Sequence, residues 1–180
     1  PLKYGGTIDK FVGDAILIFF GDPETKGERE DAKSCVLMAL EMQERMTCLR
    51  GLWQDQGITN PLEIRIGINT GYCNVGNFGS KNRLDYTIIG GEVNLASRLE
   101  SSAISGQILI SEETHALIKN DIVCEKKDEI NVKGIAHKIQ TYQVLAPYNK
   151  LTQKRKFLIE EFDGFNLNID LDISNKSKII

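Results

Sequence analysis

Histidine and cysteine are scarce in this 180-residue chain, and the scarcity excludes several kinds of metal and nucleophile site. The two histidines are His115 and His137, and the four cysteines are widely spaced with no CxxC pair. A structural zinc site needs a tetrahedral set of such ligands at close spacing, and neither histidine lies in a nucleophile motif. The sequence therefore predicts free, buried thiols in a reducing cytosol, without a zinc, Cys–His or Ser–His–Asp site.

Long apolar runs and an excess of positive charge are also missing. The longest apolar run, residues 15–20, is far too short to span a bilayer. The net charge of −3 argues against nucleic-acid binding, which usually needs a basic face. With 41% hydrophobic and 26% charged residues, the composition is typical of one globular domain. The chain opens with PLKYGG and no initiator Met, so we expect it to be a fragment of a longer protein.

The first half of the chain combines strand patterns with one long helix pattern. Residues 7–12 and 15–20 are β-rich and meet at Gly13-Asp14, which predicts a tight hairpin. Apolar residues then recur at helical spacing from about 30 to 56. The segment LEIRIGINTG (62–71) alternates apolar and polar residues and predicts a half-buried strand. We expect it to form a second hairpin with a strand in YCNVGNFG (72–79).

The second half predicts a strand that enters a helix at Gly90-Gly91, a short strand QILIS, and a helix capped by Ser111. A closing pair of strands is expected in residues 122–132 and 138–146. This mixed order favours an α+β fold with a largely antiparallel sheet. Residues 147–180 differ in composition and are interpreted as a C-terminal extension. An extra hairpin, a swapped strand and a frayed tail remain open for it.

Polar residues at helical spacing provide the first functional signal. In GGEVNLASR, Asn94 and Arg98 stand at i and i+4, on one face of the predicted helix. A guanidinium suits bidentate phosphate contact, but an exposed Asn and Arg usually form only a solvated face. Lys133 in the short VKG segment is a weaker signal, and Asp14 alone is an ordinary turn residue. These residues gain meaning only in combination.

Four segments together resemble a known family. KFVGDAILIFFG, RIGINTG, DYTIIGGEVNLASRLE and VKG occur in the order and spacing of class III nucleotidyl cyclases. The chain most resembles bacterial adenylate cyclases fused to sensor domains, over residues 3–146. The resemblance implies a ferredoxin-like class III cyclase fold, with a mostly antiparallel sheet flanked by helices. We expect residues 1–146 to be the catalytic domain without its first strand and helix, which would lie upstream of residue 1.

The resemblance implies conversion of ATP to cyclic AMP and pyrophosphate, by in-line attack of the ribose 3′-hydroxyl on the α-phosphorus. It implies two Mg²⁺ (or Mn²⁺) ions per site. Asp14 matches one metal-binding aspartate, and the other is expected upstream of this chain. Asn94 matches the residue that orients the ribose, and Arg98 matches the residue that stabilises charge on the α-phosphoryl group.

The resemblance also assigns the substrate contacts. Lys10 matches the purine-reading lysine, Thr87 its partner, and Lys133 the lysine of the terminal phosphate. Many family members carry Asp where this chain has Thr87, and threonine resembles the bicarbonate-responsive subgroup. Guanylate cyclases typically pair Glu with Cys at these two purine positions, so Lys with Thr favours ATP.

The implied partners are ATP, a second cyclase domain in a homodimer with shared sites, an upstream sensor domain and, as a candidate regulator, bicarbonate. The catalytic domain is expected in the cytoplasm, with membrane anchoring of the parent protein left open. One alternative is a non-catalytic cyclase-homology module that only dimerises and transmits a signal, and the intact Asp14, Lys10, Asn94 and Arg98 argue against it. A ferredoxin-like RNA-binding domain is a second alternative, but stacking aromatics and a basic sheet face are missing.

Overall fold

A computed structural model of the chain describes residues 1–80, 83–132, 138–148, 157–162 and 165–170. The chain divides into two compact units, Pro1–Leu145 and Ala146–Ile180. Across the described ranges, no helix has the length and apolar character needed to cross a bilayer. The architecture is α+β, as predicted, and the elements of the first unit position the candidate site.

Two antiparallel hairpins lie in the first unit. Strands β1 (Thr7–Val12) and β2 (Ala15–Phe19) form the first, with Gly13 at φ 63° in its turn. This positive φ is one that glycine adopts without steric cost, and it confirms the hairpin predicted at Gly13-Asp14. Strands β4 (Asn74–Ser80) and β5 (Arg83–Ile89) form the second hairpin.

A four-stranded sheet and three helices complete this unit. The strands are β3 (Ile66–Ile68), β6 (Ile108–Ser111), β7 (Ile122–Lys126) and β8 (Thr141–Pro147). Their order in the sheet is β3-β6-β8-β7, with β3 and β6 parallel and β6 and β8 antiparallel. The helices are α1 (Glu28–Asp55), α2 (Gly91–Ser102) and α3 (Glu112–Ile118). The Ser111 side chain accepts a hydrogen bond from the Thr114 N–H and caps α3, as predicted.

The expected hairpin between residues 62–71 and 72–79 is wrong. Strand β3 spans only Ile66–Ile68 and pairs with β6, whereas β4 pairs with β5. The preceding backbone is bonded to the loop before β6, since Gly106 N–H donates to Ile64 C=O over 2.9 Å. An alternating pattern indicates a strand but does not say which strand pairs with it, and here the partner lies after α2.

Strand β6 is buried on both faces and joins two apolar clusters. Ile108 and Ile110 pack with Val36 and Ala39 of α1 and with Ile118 of α3. Leu109 points to the opposite face, as the alternation of a strand requires, and packs in the second cluster. That cluster contains Leu95, Leu99 and Ala103 at the α2 side and also Val132 and Ile139. The sheet therefore separates α1 and α3 from α2.

The cysteines differ in burial. All four are free thiols, as the sequence predicted, but Cys48 is exposed rather than buried. Cys35 packs against the cluster beneath α1, and burial raises the pKa of its thiol to about 12. Burial likewise raises the pKa of the Cys124 thiol to about 11. Both thiols are therefore protonated and unreactive at neutral pH.

The second unit contains one described hairpin. Strands β9 (Phe157–Phe162) and β10 (Phe165–Asp170) pair antiparallel along six residues each. This hairpin lies within residues 147–180, the segment that the sequence marks as a C-terminal extension.

Candidate active site

Asp14 occupies the turn of the β1–β2 hairpin. Its side chain is exposed, and it follows Gly13, whose left-handed backbone reverses the chain. A carboxylate at such a turn is open to solvent and to a ligand. This position is compatible with the metal-binding role that the sequence predicts.

Lys10 and Thr87 come from different hairpins and meet at one carboxylate. The Thr87 hydroxyl donates to Asp9 Oδ2 over 2.9 Å, and Lys10 Nζ lies 3.3 Å from the same oxygen. Thr87 is buried on β5, and the Asp9 side chain is 1% exposed. The Lys10 side chain is 46% exposed, so its ammonium remains accessible. The structure thus brings together the two residues predicted to read the purine.

An irregularity in β1 produces this arrangement. Ile8 pairs with Ile18 and Lys10 pairs with Leu17, so Asp9 is an extra residue without a partner on β2. Such a bulge changes the direction of the side chains beside it. Regular alternation would place Asp9 and Lys10 on opposite faces, whereas the bulge lets both side chains reach one point beside β5.

Asn94 and Arg98 lie on the exposed side of α2, as their spacing predicts. The helix buries Leu95 and Leu99 against the sheet, at 4% and 0% exposure. Asn94 and Arg98 project from the other side. Their side chains make no hydrogen bond or ion pair with another described residue, so both are available to a ligand.

Two contacts fix α2 relative to β3. Asn69 Nδ2 donates to Glu92 C=O over 3.1 Å and to Glu92 Oε2 over 2.7 Å. A Cβ atom at Gly67 would lie 2.2 Å from Glu100 N, so only glycine allows this approach of strand and helix. The helix that carries Asn94 and Arg98 therefore rests on backbone contact with the sheet.

The remaining predicted residues are not all brought together. No hydrogen bond or ion pair among the described residues joins Asp14 to Asn94 or to Arg98. Lys133 lies outside the described residues. Within one chain the structure therefore brings together the two residues predicted to read the purine, while no described contact joins Asp14 to the α2 residues.

A magnesium ion fits Asp14 only as part of a site completed by substrate. Among the described residues, no group of three or more His, Cys, Asp or Glu side chains is arranged to hold a metal. Mg²⁺, however, is usually held by one or two carboxylates together with substrate phosphates, and it keeps several waters. One exposed carboxylate at a turn suits that mode.

Asp9 was not predicted as a site residue from the sequence. The signal was an acidic residue within a β-rich segment, immediately before Lys10. Neighbouring residues on a strand are expected to point to opposite faces. The bulge that lets Asp9 and Lys10 reach one point cannot be predicted from the sequence periodicity.

Residues 7–146 are similar to one family of known proteins. The adenylate and guanylate cyclase catalytic domain family matches residues 7–146. A Dictyostelium discoideum adenylate cyclase, described as terminal-differentiation specific, is 32% identical over 146 residues. The match covers 78% of this chain but 7% of that protein's length, so the chain corresponds to a small part of that relative.

Solved structures extend the similarity to the fold. The adenylyl cyclase CyaB from P. aeruginosa is 61% identical with a TM-score of 0.77, covering 80% of this chain and 74% of that one. The guanylyl cyclase Cya2 is 36% identical with a TM-score of 0.74, covering 81% of this chain and 73% of that one. An adenylyl cyclase and a guanylyl cyclase are therefore both similar to this chain in fold.

Proposed function

The chain belongs to the adenylate and guanylate cyclase catalytic domain family, and we propose that it converts ATP to 3′,5′-cyclic AMP and pyrophosphate. Family membership leaves the purine open, because the similar structures include an adenylyl and a guanylyl cyclase. One observation supports the choice of ATP: Lys10 and Thr87 both contact the same oxygen of Asp9.

The chemistry of the purine ring explains why this pair favours adenine. Lys10 is a donor, which suits the unprotonated N1 of adenine, and the Thr87 oxygen accepts from the N6 amino group. Guanine presents a protonated N1 and a carbonyl at C6, so both contacts would be mismatched. A site built to pair with polar groups rejects the analogue that leaves them unpaired.

The other residues act on the phosphates and the ribose. Arg98 stabilises negative charge on the α-phosphoryl group, Asn94 orients the ribose, and Lys133 binds the terminal phosphate. Asp14 contributes a metal ligand. Bound Mg²⁺ or Mn²⁺, two per site, would neutralise the triphosphate and lower the pKa of the attacking 3′-hydroxyl.

A homodimer would complete the site, because Asp14 and the α2 pair remain apart within one chain. The hairpins also expose apolar side chains that a partner would cover: Ile8, Phe11, Val12, Ile16, Leu84, Tyr86 and Ile89. In a two-fold dimer each chain supplies Asp14 to one site and Asn94 with Arg98 to the other.

The organisation around this domain belongs to the same proposal. We assign residues 1–146 to the catalytic domain and residues 147–180 to an extension. A sensor domain upstream would control the catalytic domain, which would work in the cytoplasm. Bicarbonate is a candidate regulator, because a threonine at the position of Thr87 resembles the bicarbonate-responsive subgroup.

Formation of cyclic nucleotide by the full-length protein tests the function. Product from ATP and from GTP is measured with Mg²⁺ or Mn²⁺, for wild type and for Arg98→Ala. We expect cyclic AMP as the main product and its loss in Arg98→Ala. Arg45→Ala, which removes an exposed arginine of α1, serves as the matched control and should retain activity. Absence of product from both nucleotides would favour the non-catalytic dimerisation and signal-transmission module.

A further inference from the structure

Asp9 is buried with only one of its two oxygens bonded. Oδ2 meets Thr87 and Lys10, whereas Oδ1 has no hydrogen-bond partner among the described residues. A buried unpaired oxygen carries a desolvation cost, so an apolar residue would suit the stability of this position better. The carboxylate is therefore better explained by what Oδ2 does to its two neighbours.

A threonine hydroxyl does not by itself distinguish the two purines. It has one hydrogen to donate and two lone pairs that accept, and it can rotate between these uses. It could accept from the adenine amino group or donate to the guanine carbonyl. In the structure the Thr87 hydroxyl donates to Asp9 Oδ2 over 2.9 Å, so the hydrogen in this contact is the threonine's own.

We propose that Asp9 is a positioning residue that fixes Thr87 as a hydrogen-bond acceptor and thereby sets the preference for adenine. With its hydrogen held by Asp9 Oδ2, Thr87 offers only lone pairs to the purine. The same oxygen attracts the Lys10 ammonium at 3.3 Å and keeps the donor beside the acceptor. This inference rests on the proposed function. It adds the residue that makes Thr87 the acceptor and keeps Lys10, the donor, beside it.

Loss of the carboxylate should relax the preference without reversing it. In Asp9→Asn the new amide can donate to the Thr87 oxygen, which frees the threonine hydrogen to reach the C6 carbonyl of guanine. Lys10 would still face the protonated N1 of guanine. We therefore expect the ratio of kcat/KM for ATP to that for GTP to fall about tenfold.

The test compares variants in the full-length protein. The kcat and KM for ATP and GTP are measured, together with the Kd of each nucleotide from displacement of a fluorescent nucleotide analogue. Asp22→Asn is the matched control, because the Tyr86 hydroxyl donates to Asp22 Oδ1 one residue before Thr87 on β5. This control should leave the ratio unchanged. Thermal unfolding of each variant checks that the fold is kept.

A double variant tests the same role by restoring an acceptor at position 87 instead of removing one. Combining Asp9→Asn with Thr87→Asp moves the acceptor-only group to position 87, where the amide introduced at position 9 can donate to it. The preference for ATP should return towards the wild-type value. A merely structural role of Asp9 would lower turnover of both nucleotides equally and would not be rescued by this exchange.

The outcomes separate this inference from the proposed function. Cyclic AMP formation with an unchanged nucleotide ratio in Asp9→Asn, or a double variant no more selective than Asp9→Asn, would overturn the role of Asp9 alone. Selective binding of ATP that Asp9→Asn relaxes would support the role even if wild type formed no product. Equal kcat/KM values for ATP and GTP in wild type, together with equal binding of both nucleotides, would overturn the inference and the choice of ATP alike.

Discussion

The two hairpins and the four-stranded sheet use apolar side chains in opposite ways. On the hairpins, Phe11 is 68% exposed and Leu84 is 61% exposed. In the sheet, Ile108, Leu109 and Ile110 of β6 are at most 4% exposed, because helices cover both faces. The stability of the fold therefore resides in the sheet and its helices. The hairpins, which carry Lys10, Asp14 and Thr87, leave apolar side chains exposed, and we propose that a substrate and a partner bind there.

The largest effect expected on the hairpin side is the loss of Asp14. Asp14→Ala removes a proposed metal ligand from an exposed turn, so turnover should fall by at least about a hundredfold, given several kcal/mol of transition-state stabilisation. The thermal unfolding midpoint should not change. The measurements are cyclic AMP formation by the full-length protein and thermal unfolding, with Asp55→Ala as an exposed control. Activity above about a tenth of wild type would refute the metal role.

The contrast in burial predicts a contrast in stability. Ile110→Ala should lower the free energy of unfolding by about 2–5 kcal/mol, since Ile110 is fully buried and its removal leaves a cavity. Phe11→Ala should change it by less than about 0.5 kcal/mol in the dissociated chain. Urea unfolding at low protein concentration measures both. Equal losses for the two variants would contradict the conclusion that the sheet, and not the hairpins, stabilises the fold.

Phe11→Ala is expected instead to weaken self-association, because Phe11 belongs to the exposed apolar side chains proposed to meet the partner. Sedimentation velocity over a range of concentrations measures this effect. Unchanged association would remove Phe11 from the proposed interface.

Complementation tests whether Asp14 on a hairpin and Arg98 on α2 act in one shared site. Inactive Asp14→Ala and inactive Arg98→Ala chains, mixed in equal amounts, should recover about one quarter of wild-type activity, since half of the dimers would have one intact site. Cyclic AMP formation after subunit exchange measures the recovery. Heterodimers shown to form without regaining activity would contradict the shared site.

Substitutions on the two hairpins alone should change the preference between ATP and GTP. Wild type should prefer ATP over GTP by roughly 10- to 100-fold, because guanine would leave buried polar groups unpaired. Lys10→Glu with Thr87→Cys should erode this preference, mainly by raising the barrier for ATP. The kcat/KM values for both nucleotides measure it. An unchanged preference would show that these residues do not read the purine.

The smallest effect concerns an ion pair on the helical side of the sheet. Asp121 accepts hydrogen bonds from Lys33 Nζ over 2.8 Å and from Arg29 Nη2 over 2.9 Å, and these contacts lower its carboxyl pKa. Asp121→Asn should reduce the free energy of unfolding by at most about 1 kcal/mol near neutral pH.

The pH dependence of this effect has a defined sign. A lowered folded-state pKa stabilises the protein above the ordinary carboxyl value of 3.8, and the contribution is lost as the pH falls through the lowered pKa. The difference between wild type and Asp121→Asn in urea unfolding should therefore disappear in acid. A difference that persists there would contradict an ionic origin.

Local patterns were enough to predict much of the fold. The glycine turn at Gly13 and the exposure of Asn94 and Arg98 follow from short-range rules on turns and helix faces. The pairing of β3 with β6 did not follow from such rules, because alternation defines a strand but not its partner. The role of Asp9 was equally hidden, since it depends on a bulge and on a contact with Thr87, 78 residues away in the chain.

Gly67 has a consequence for how this domain can diverge. A Cβ atom there would fall 2.2 Å from Glu100 N and 2.3 Å from Ala96 O, both backbone atoms of α2. Any side chain at this position would displace the helix, and no adjustment of a flexible neighbour would make room. Substitutions that alter the hairpins can accumulate while the distance from β3 to α2 stays constant. Gly67 thus holds α2 at a constant distance from the sheet, so the Asn94–Arg98 face keeps its place while residues of the hairpins change.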